Sequence, residues 1–284
     1  MAVQLLKGTA FITGAASDHD IPRAMPSNSK THPGIGQAAA IAFARHGITK
    51  LALADVNFKA LQASNAEIRK SFPHVEILDL EMDVRKTADV KRGIAETVER
   101  FGRLDVALNN AGLGGAGRQT HETEEEEWDM VIDIDLNGVR RCQKEEIAVM
   151  LKQENLGPRE GRGRIINVAS MYGLVAPCGT MHHTAYAAAK HGVMGLTKGD
   201  ANSYGGEHAI RINAICPGYV ETPLLTGAMA LEGDSPLALD IRRTPLRRMC
   251  KMDEIADAIV FLASPMSSFM QGAGLVADGG FTSN

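Results

Sequence analysis

TAFIT (residues 9–13) with Gly14 behind it, GIGQAAAIAFARHG (34–47) and LALAD (51–55) decide the fold. The first run is short, apolar and β-prone, and it ends at that glycine. The second spaces its apolar residues as a helix does and stops at Gly47. The third reads as a buried strand. Strand, helix and strand in that order make a βαβ crossover, which joins parallel strands. The alternation continues outward. NFKALQASNAEIRKSF (57–72) is an amphipathic helix closed by Pro73, and VEILDL (75–80) is a third strand. Residues 87–101 form a helix with Val90, Ile94, Val98 and Phe101 on one face. LDVALNN (104–110) is a fourth strand, 125–153 one long helix and RIINVAS (164–170) a fifth strand. A helix over 184–203, a sixth strand IRINAIC (210–216), a helix over 253–263 and GLVADGG (274–280) complete the pattern. The strands are apolar throughout rather than alternating, as strands covered on both faces are. The expectation is an α/β protein of one domain, 1–284. Its doubly wound parallel sheet should have about seven strands, with helices on both faces.

Composition narrows the function classes. Of 284 residues, 44% are hydrophobic and 23% charged, which is ordinary for a globular chain, and the net charge is −4. Lys and Arg are scattered without a basic stripe, so neither nucleic acid nor a membrane surface is an expected partner. No apolar run approaches the roughly 18 residues of a spanning helix. Cys142, Cys178, Cys216 and Cys250 lie far apart with no C-x-x-C pair, so no metal site and no disulfide framework is expected. That usage suits a reducing compartment. MAVQLLKGTAFITG runs directly into a strand without a signal-peptide pattern, and the expected location is cytoplasmic.

An open parallel sheet binds ligands outside the C-terminal ends of its strands. There the first strand ends in Thr13-Gly14, and the first helix opens with Gly34-Ile35-Gly36. A glycine turn entering a helix N-terminus lets backbone approach a pyrophosphate and aims free N–H groups at it. Plain turn chemistry is the competing reading of glycines alone. Asp55 adds weight. It ends the second strand, where a carboxylate accepts hydrogen bonds from ribose hydroxyls and repels a 2′-phosphate. Val56 and Asn57 supply no compensating cation, so NAD is expected over NADP. The competing reading of Asp55 is a cap on the next helix.

On these residues and several further motifs the chain resembles the short-chain dehydrogenase/reductase family over nearly its whole length. Asn109-Asn110-Ala111-Gly112 is similar to the family's NNAG turn, Tyr186-Ala-Ala-Ala-Lys190 to its YxxxK, and Pro217-Gly218 to its PG turn. Ser170 ends the fifth strand, and Asn137 falls where the family has its helix asparagine. The resemblance implies a Rossmann fold that binds a nicotinamide cofactor. It implies that Asp83 and Val84 contact adenine, that Asn110, Ala111, Gly112 and Val220 border the cofactor, and that Thr222 meets the nicotinamide carboxamide. It also implies that Lys190 binds the nicotinamide ribose and that Asn137 holds a water in a proton relay from Lys190. The same resemblance implies a homotetramer or homodimer built on the helices near 125–153 and 184–203.

The catalytic expectation has its own chemistry. Tyr186 and Lys190 stand one helical turn apart on one face. A free phenol is a poor base near neutral pH, and a neighbouring ammonium favours its phenolate. Tyr186 is then the general acid/base that exchanges a proton with an alcohol or ketone. Ser170 hydrogen-bonds the substrate oxygen. The expected activity is NAD(H)-dependent interconversion of a secondary alcohol and a ketone. The alternatives are an epimerase or dehydratase working through a keto intermediate, and a cofactor-binding protein without turnover.

Two departures stand out. Gly14 and Gly34 are 20 positions apart where the family pattern has four, so 18–33 reads as an inserted loop. It bulges outward, covers the pyrophosphate or blocks it; sequence leaves these open. Ser170 and Tyr186 are 16 apart, about three more than is usual for the family, with the excess assigned to Cys178–His183. Residues 171–183 and an irregular flap over 219–250 should shape the substrate pocket. Met171, Tyr172, Met229 and Met249 are candidates to line it. His182 and His183 read either as pocket residues or as a solvated loop pair, and Glu124–Glu127 as a solvated helix N-terminus.

Overall fold

The computed structural model describes residues 4–16, 34–115, 117–222, 233 and 235–283. Seven parallel strands lie in the order β3-β2-β1-β4-β5-β6-β7. They are β1 Thr9–Thr13, β2 Lys50–Asp55, β3 Glu76–Glu81, β4 Val106–Asn109, β5 Gly163–Val168, β6 Ile210–Pro217 and β7 Gly274–Ala277. The order turns back between β1 and β4, the topological switch at which open sheets of this kind hold ligands.

Two apolar layers explain why the strands carry so few polar residues. Ala10 and Ile12 of β1 pack into one layer with Phe43 of helix α1 (Ile35–Arg45). Leu61 and Ile68 of α2 (Phe58–Ser71) join that layer, as do Ile255 and Ile259 of α8 (Met252–Ala263). Phe11, between them in β1, points the other way. It packs with Val90 and Ile94 of α3 (Thr87–Phe101) and with Ile147 and Met150 of α5 (Val139–Met150). Successive strand side chains reach opposite faces, so a strand buried on both sides must be apolar at every position. Local signals set the ends. Asn57 caps α2 by accepting the Ala60 N–H at 3.1 Å, and α2 stops at Ser71, ahead of Pro73.

The expected single helix over 125–153 is interrupted. It begins as α4 (Glu125–Ile132), widens to i→i+5 hydrogen bonds over Asp133–Gly138, and resumes as α5. A π turn adds a residue to the helical repeat and re-aims the turns beyond it. The acidic run sits at the start of α4, where the macrodipole favours negative charge. The helix over the YxxxK motif, α6, spans Thr184–Tyr204. In the flap, α7 (Pro236–Arg243) is described, with Ser235 capping it through the Ala238 N–H at 3.2 Å. The inserted segment 18–33 and Met229 lie outside the described residues.

Candidate active site

At the switch point, the two flanks of the interrupted glycine motif meet. Gly14 has a left-handed φ of +63°, and a Cβ on Gly36 would lie 2.2 Å from the Gly14 carbonyl oxygen. Only glycine allows this approach of α1 to the end of β1. Asn110 ties the turn together, its Nδ2 donating to Gly14 O at 2.9 Å and Thr13 O at 3.2 Å. Thr13 answers from below. Its Oγ1 accepts the backbone N–H groups of Asn110 at 3.0 Å and Ala111 at 3.1 Å. No described side chain caps α1 at Gly34, and its first turn carries no acidic residue. A helix start of this kind presents backbone N–H groups to an anion.

Asp55 binds the same edge. Its carboxylate accepts the Ala16 N–H at 3.0 Å and the Asn57 N–H at 2.9 Å. Burial raises its pKa, and those two backbone donors pull it back. The cap of α2 is Asn57 rather than Asp55, and each Asp55 oxygen keeps a second lone pair. Asp83 is chelated by Arg85 at 2.7–3.1 Å, which holds its carboxyl below the ordinary range. Val84, also buried, packs against Gly138. The glycine approach at the helix start and the Asp55 carboxylate supply chemistry that a dinucleotide calls for, and these residues fit that group.

The second half of the site lies across β4 and β5. Lys190 on α6 is buried and donates to Val168 O at 3.0 Å. Its Nζ stands 5.3 Å from the centre of the Tyr186 ring and 3.1 Å from Asp135 Oδ2. Burial alone would lower the lysine pKa. The charges of Asp135 and Tyr186 outweigh it and hold the ammonium above its ordinary value. Ser170 Oγ accepts the Tyr172 N–H at 3.1 Å as the cap of a short 3-10 turn. Gly112 passes directly over the ion pair, and a Cβ there would come to 3.0 Å from Asp135 Oδ2.

Asn137 is not part of this group. Its amide lies 3.5 Å from Asp133 Oδ1, while Asp135, two positions earlier, meets Lys190. The π turn gives the reason, since the buried face of the helix runs through Val131, Asp135, Gly138 and Cys142 and leaves Asn137 at its side. Sequence reasoning missed Asp135. The signal was present in the i, i+4 spacing of Val131 and Asp135 on the apolar stripe.

A family model described as enoyl-(acyl carrier protein) reductase matches residues 30–282. The chain belongs to the short-chain dehydrogenase/reductase family. The short-chain dehydrogenase anuF of Penicillium roqueforti is 35% identical over 99% of this chain and 98% of that protein. Levodione reductase of Leifsonia aquatica is 36% identical over 87% of this chain and 90% of its own. A crystal structure of a levodione reductase superposes with a TM-score of 0.82 at 33% identity, covering 97% of this chain and 98% of that one. The short-chain dehydrogenase/reductase relatives are oxidoreductases, and the seven-stranded Rossmann sheet is theirs. Among the described residues, no helix is long and apolar enough to cross a membrane.

This family member has a small cleft beside Tyr186, bordered by Gly114, Arg118, Glu127, Val131, His182 and His183. His183 Nδ1 donates to Gly114 O at 3.0 Å, and burial lowers its pKa, so the ring is a neutral wall. Tyr172 does not offer its hydroxyl to the cleft. Tyr219 donates to Asp240 Oδ2 at 2.8 Å, so the 2.6 Å contact between the tyrosines has Tyr172 donating to Tyr219. Burial pushes the Tyr172 hydroxyl up to about 12. Leu237, Ile241 and Met249 pack on the same two rings. The tyrosine chain thus pins α7 to the turn after Ser170, a link that sequence reasoning did not find. On the other side of the flap, Pro217 ends β6 and the Gly218 N–H donates to Ala277 O at 3.0 Å. Val220 bridges to Cys250, and the Thr222 N–H donates to Val220 O at 2.6 Å.

Proposed function

We propose that the chain is an NAD(H)-dependent oxidoreductase that interconverts a secondary alcohol and a ketone, with Tyr186 as general acid and base. The observation that carries this is the stack of Tyr186 on an immobilised ammonium, with Lys190 held by Val168 O and Asp135 and facing the phenol ring beside an open cleft. Bound nicotinamide supplies or accepts the hydride, and that chemistry belongs to the cofactor. The protein's own work is to hold and move a proton. Tyr186 Oη gives a proton to the carbonyl oxygen in reduction and takes it from the alcohol in oxidation. Ser170 Oγ already accepts the Tyr172 N–H, so its hydroxyl proton is available to donate to the substrate oxygen.

Gly14, Gly34, Ile35 and Gly36 would hold the pyrophosphate, and Asp83 and Val84 the adenine. Asp55 would accept the ribose hydroxyls, and its negative charge supports NAD over NADP. Asn110, Ala111, Gly112, Pro217, Gly218, Val220 and Thr222 would border the nicotinamide half. The relative named levodione reductase supports a cyclic ketone as the first substrate to try. A homo-oligomer and a cytoplasmic location complete the reading; the four free cysteines suit a reducing compartment.

Turnover of cyclic and open-chain ketones with NADH and with NADPH tests this directly. The expected result is carbonyl reduction with NADH preferred. In Asp55→Ala that preference should fall by about tenfold, the worth of one or two hydrogen bonds to a charged group. Absence of binding by either cofactor, read as unchanged Trp128 fluorescence, would overturn the proposal.

A further inference from the structure

Asp135 is the observation the mechanism leaves unused. It is fully buried, on the π turn between α4 and α5. Oδ1 accepts the Leu113 N–H at 2.7 Å. Oδ2 has no hydrogen-bond partner of ordinary geometry and faces Lys190 Nζ at 3.1 Å. A carboxylate and an ammonium removed from water together persist only because each is the other's counter-charge, and removing one leaves the other stranded.

We propose that Asp135 is a positioning residue: it is the fixed counter-ion that keeps Lys190 an ammonium inside the protein and aims that charge at Tyr186. Three contacts fix the ammonium in place: the Asp135 carboxylate, the Val168 carbonyl and the Tyr186 ring. The other charges around the site do not substitute for it. Asp133 is paired with Arg141 at 2.6 Å and Asp83 with Arg85 at 2.7 Å. Across the cleft, Arg118 and Glu127 pair at 3.5 Å. Tyr172 is committed to Tyr219, and burial lowers the pKa of His183. Among the described residues, Asp135 is the carboxylate that touches Lys190.

The inference rests on reading Tyr186 and Lys190 as the acid/base pair, so its test includes a measurement that needs no turnover. In the apo protein, the Lys190 Cε and Nζ NMR signals, assigned by their loss in Lys190→Met, report the charge of the side chain. In wild type they should remain those of an ammonium up to pH 10, on the order of a free lysine's pKa or beyond. In Asp135→Asn, which preserves shape and the Leu113 contact, the transition should move to lower pH by at least about one unit. The alkaline limb of the pH–rate profile should move the same way. Asp135→Glu should restore part of both. An unmoved lysine transition in a folded Asp135→Asn protein would overturn the proposal. So would a wild-type Asp135 carboxyl carbon whose shift is that of the neutral acid at pH 7, a readout that stands even if the variant does not fold. If Lys190 titrates as expected while Tyr186→Phe stays active, the counter-ion role holds and the acid/base reading fails.

Discussion

The two ends of the site lie along one edge of the same sheet and are built by opposite means. At the β1 end the described residues contribute backbone. Gly14 and Gly36 touch, Asn110 and Thr13 lace the turn, and the helix start stays uncapped by any described side chain. At the β5 end it contributes side-chain charge. Lys190, Asp135 and Tyr186 are packed together behind Gly112, with Ser170 fixed by its own cap. Binding a pyrophosphate calls for unclaimed N–H groups, whereas moving a proton calls for a phenol beside a charge that cannot wander. Substitutions should therefore fail differently at the two ends.

The largest effect is expected at the charged end. On the proposed reading Tyr186→Phe removes the proton that is exchanged and should lower turnover by roughly 10²–10⁴-fold, while NADH affinity stays within a few-fold by fluorescence titration. Activity near wild type would show that another group is the acid. At the backbone end the pattern reverses. Gly36→Ala puts a methyl 2.2 Å from Gly14 O. Forcing that contact apart should destabilise the protein by about 1–3 kcal/mol, weaken NADH binding and leave the rate at saturating cofactor closer to wild type. Equal losses of rate and affinity in both variants would erase the distinction.

A smaller effect concerns support behind both ends. Glu146 on α5 accepts from Asn109 Nδ2 at 3.1 Å, and complete burial pushes its carboxyl up to about 8, against an ordinary 4.5. Between those values the folded state holds a proton that the unfolded chain releases. This group's contribution is therefore full below about 4.5 and is lost as pH rises toward 8. Glu146→Gln should flatten that part of the curve of melting temperature against pH. A parallel curve would show that Glu146 is ionised when folded.

Much of this was legible in the sequence because the strands are apolar and the helices periodic. The expected β1 matches its observed limits, and β2, β4 and α6 lie within a residue or two of theirs. The YxxxK spacing placed Tyr186 and Lys190 together because both sit on one uninterrupted helix. Asp135 was not legible in the same way. Its partner comes from a different helix, and the resemblance put the helix asparagine at Asn137, two positions from the residue that meets Lys190. The tyrosine chain to Asp240 escaped for a related reason, since Tyr172, Tyr219 and Asp240 come from three separate segments. The meeting of Gly14 with Gly36 across the interruption is likewise a tertiary contact, and closing a loop costs little more as it lengthens.

The measurement that tests the account most directly is label transfer. NADH carrying deuterium at C4 of the nicotinamide would be incubated with the protein and a ketone that it reduces, and the alcohol analysed by mass spectrometry and NMR. One deuterium is expected on the carbinol carbon, delivered from one face of the cofactor, with the yield collapsing in Tyr186→Phe. Alcohol formed without label, or labelled equally by the wild type and the phenylalanine variant, would contradict it.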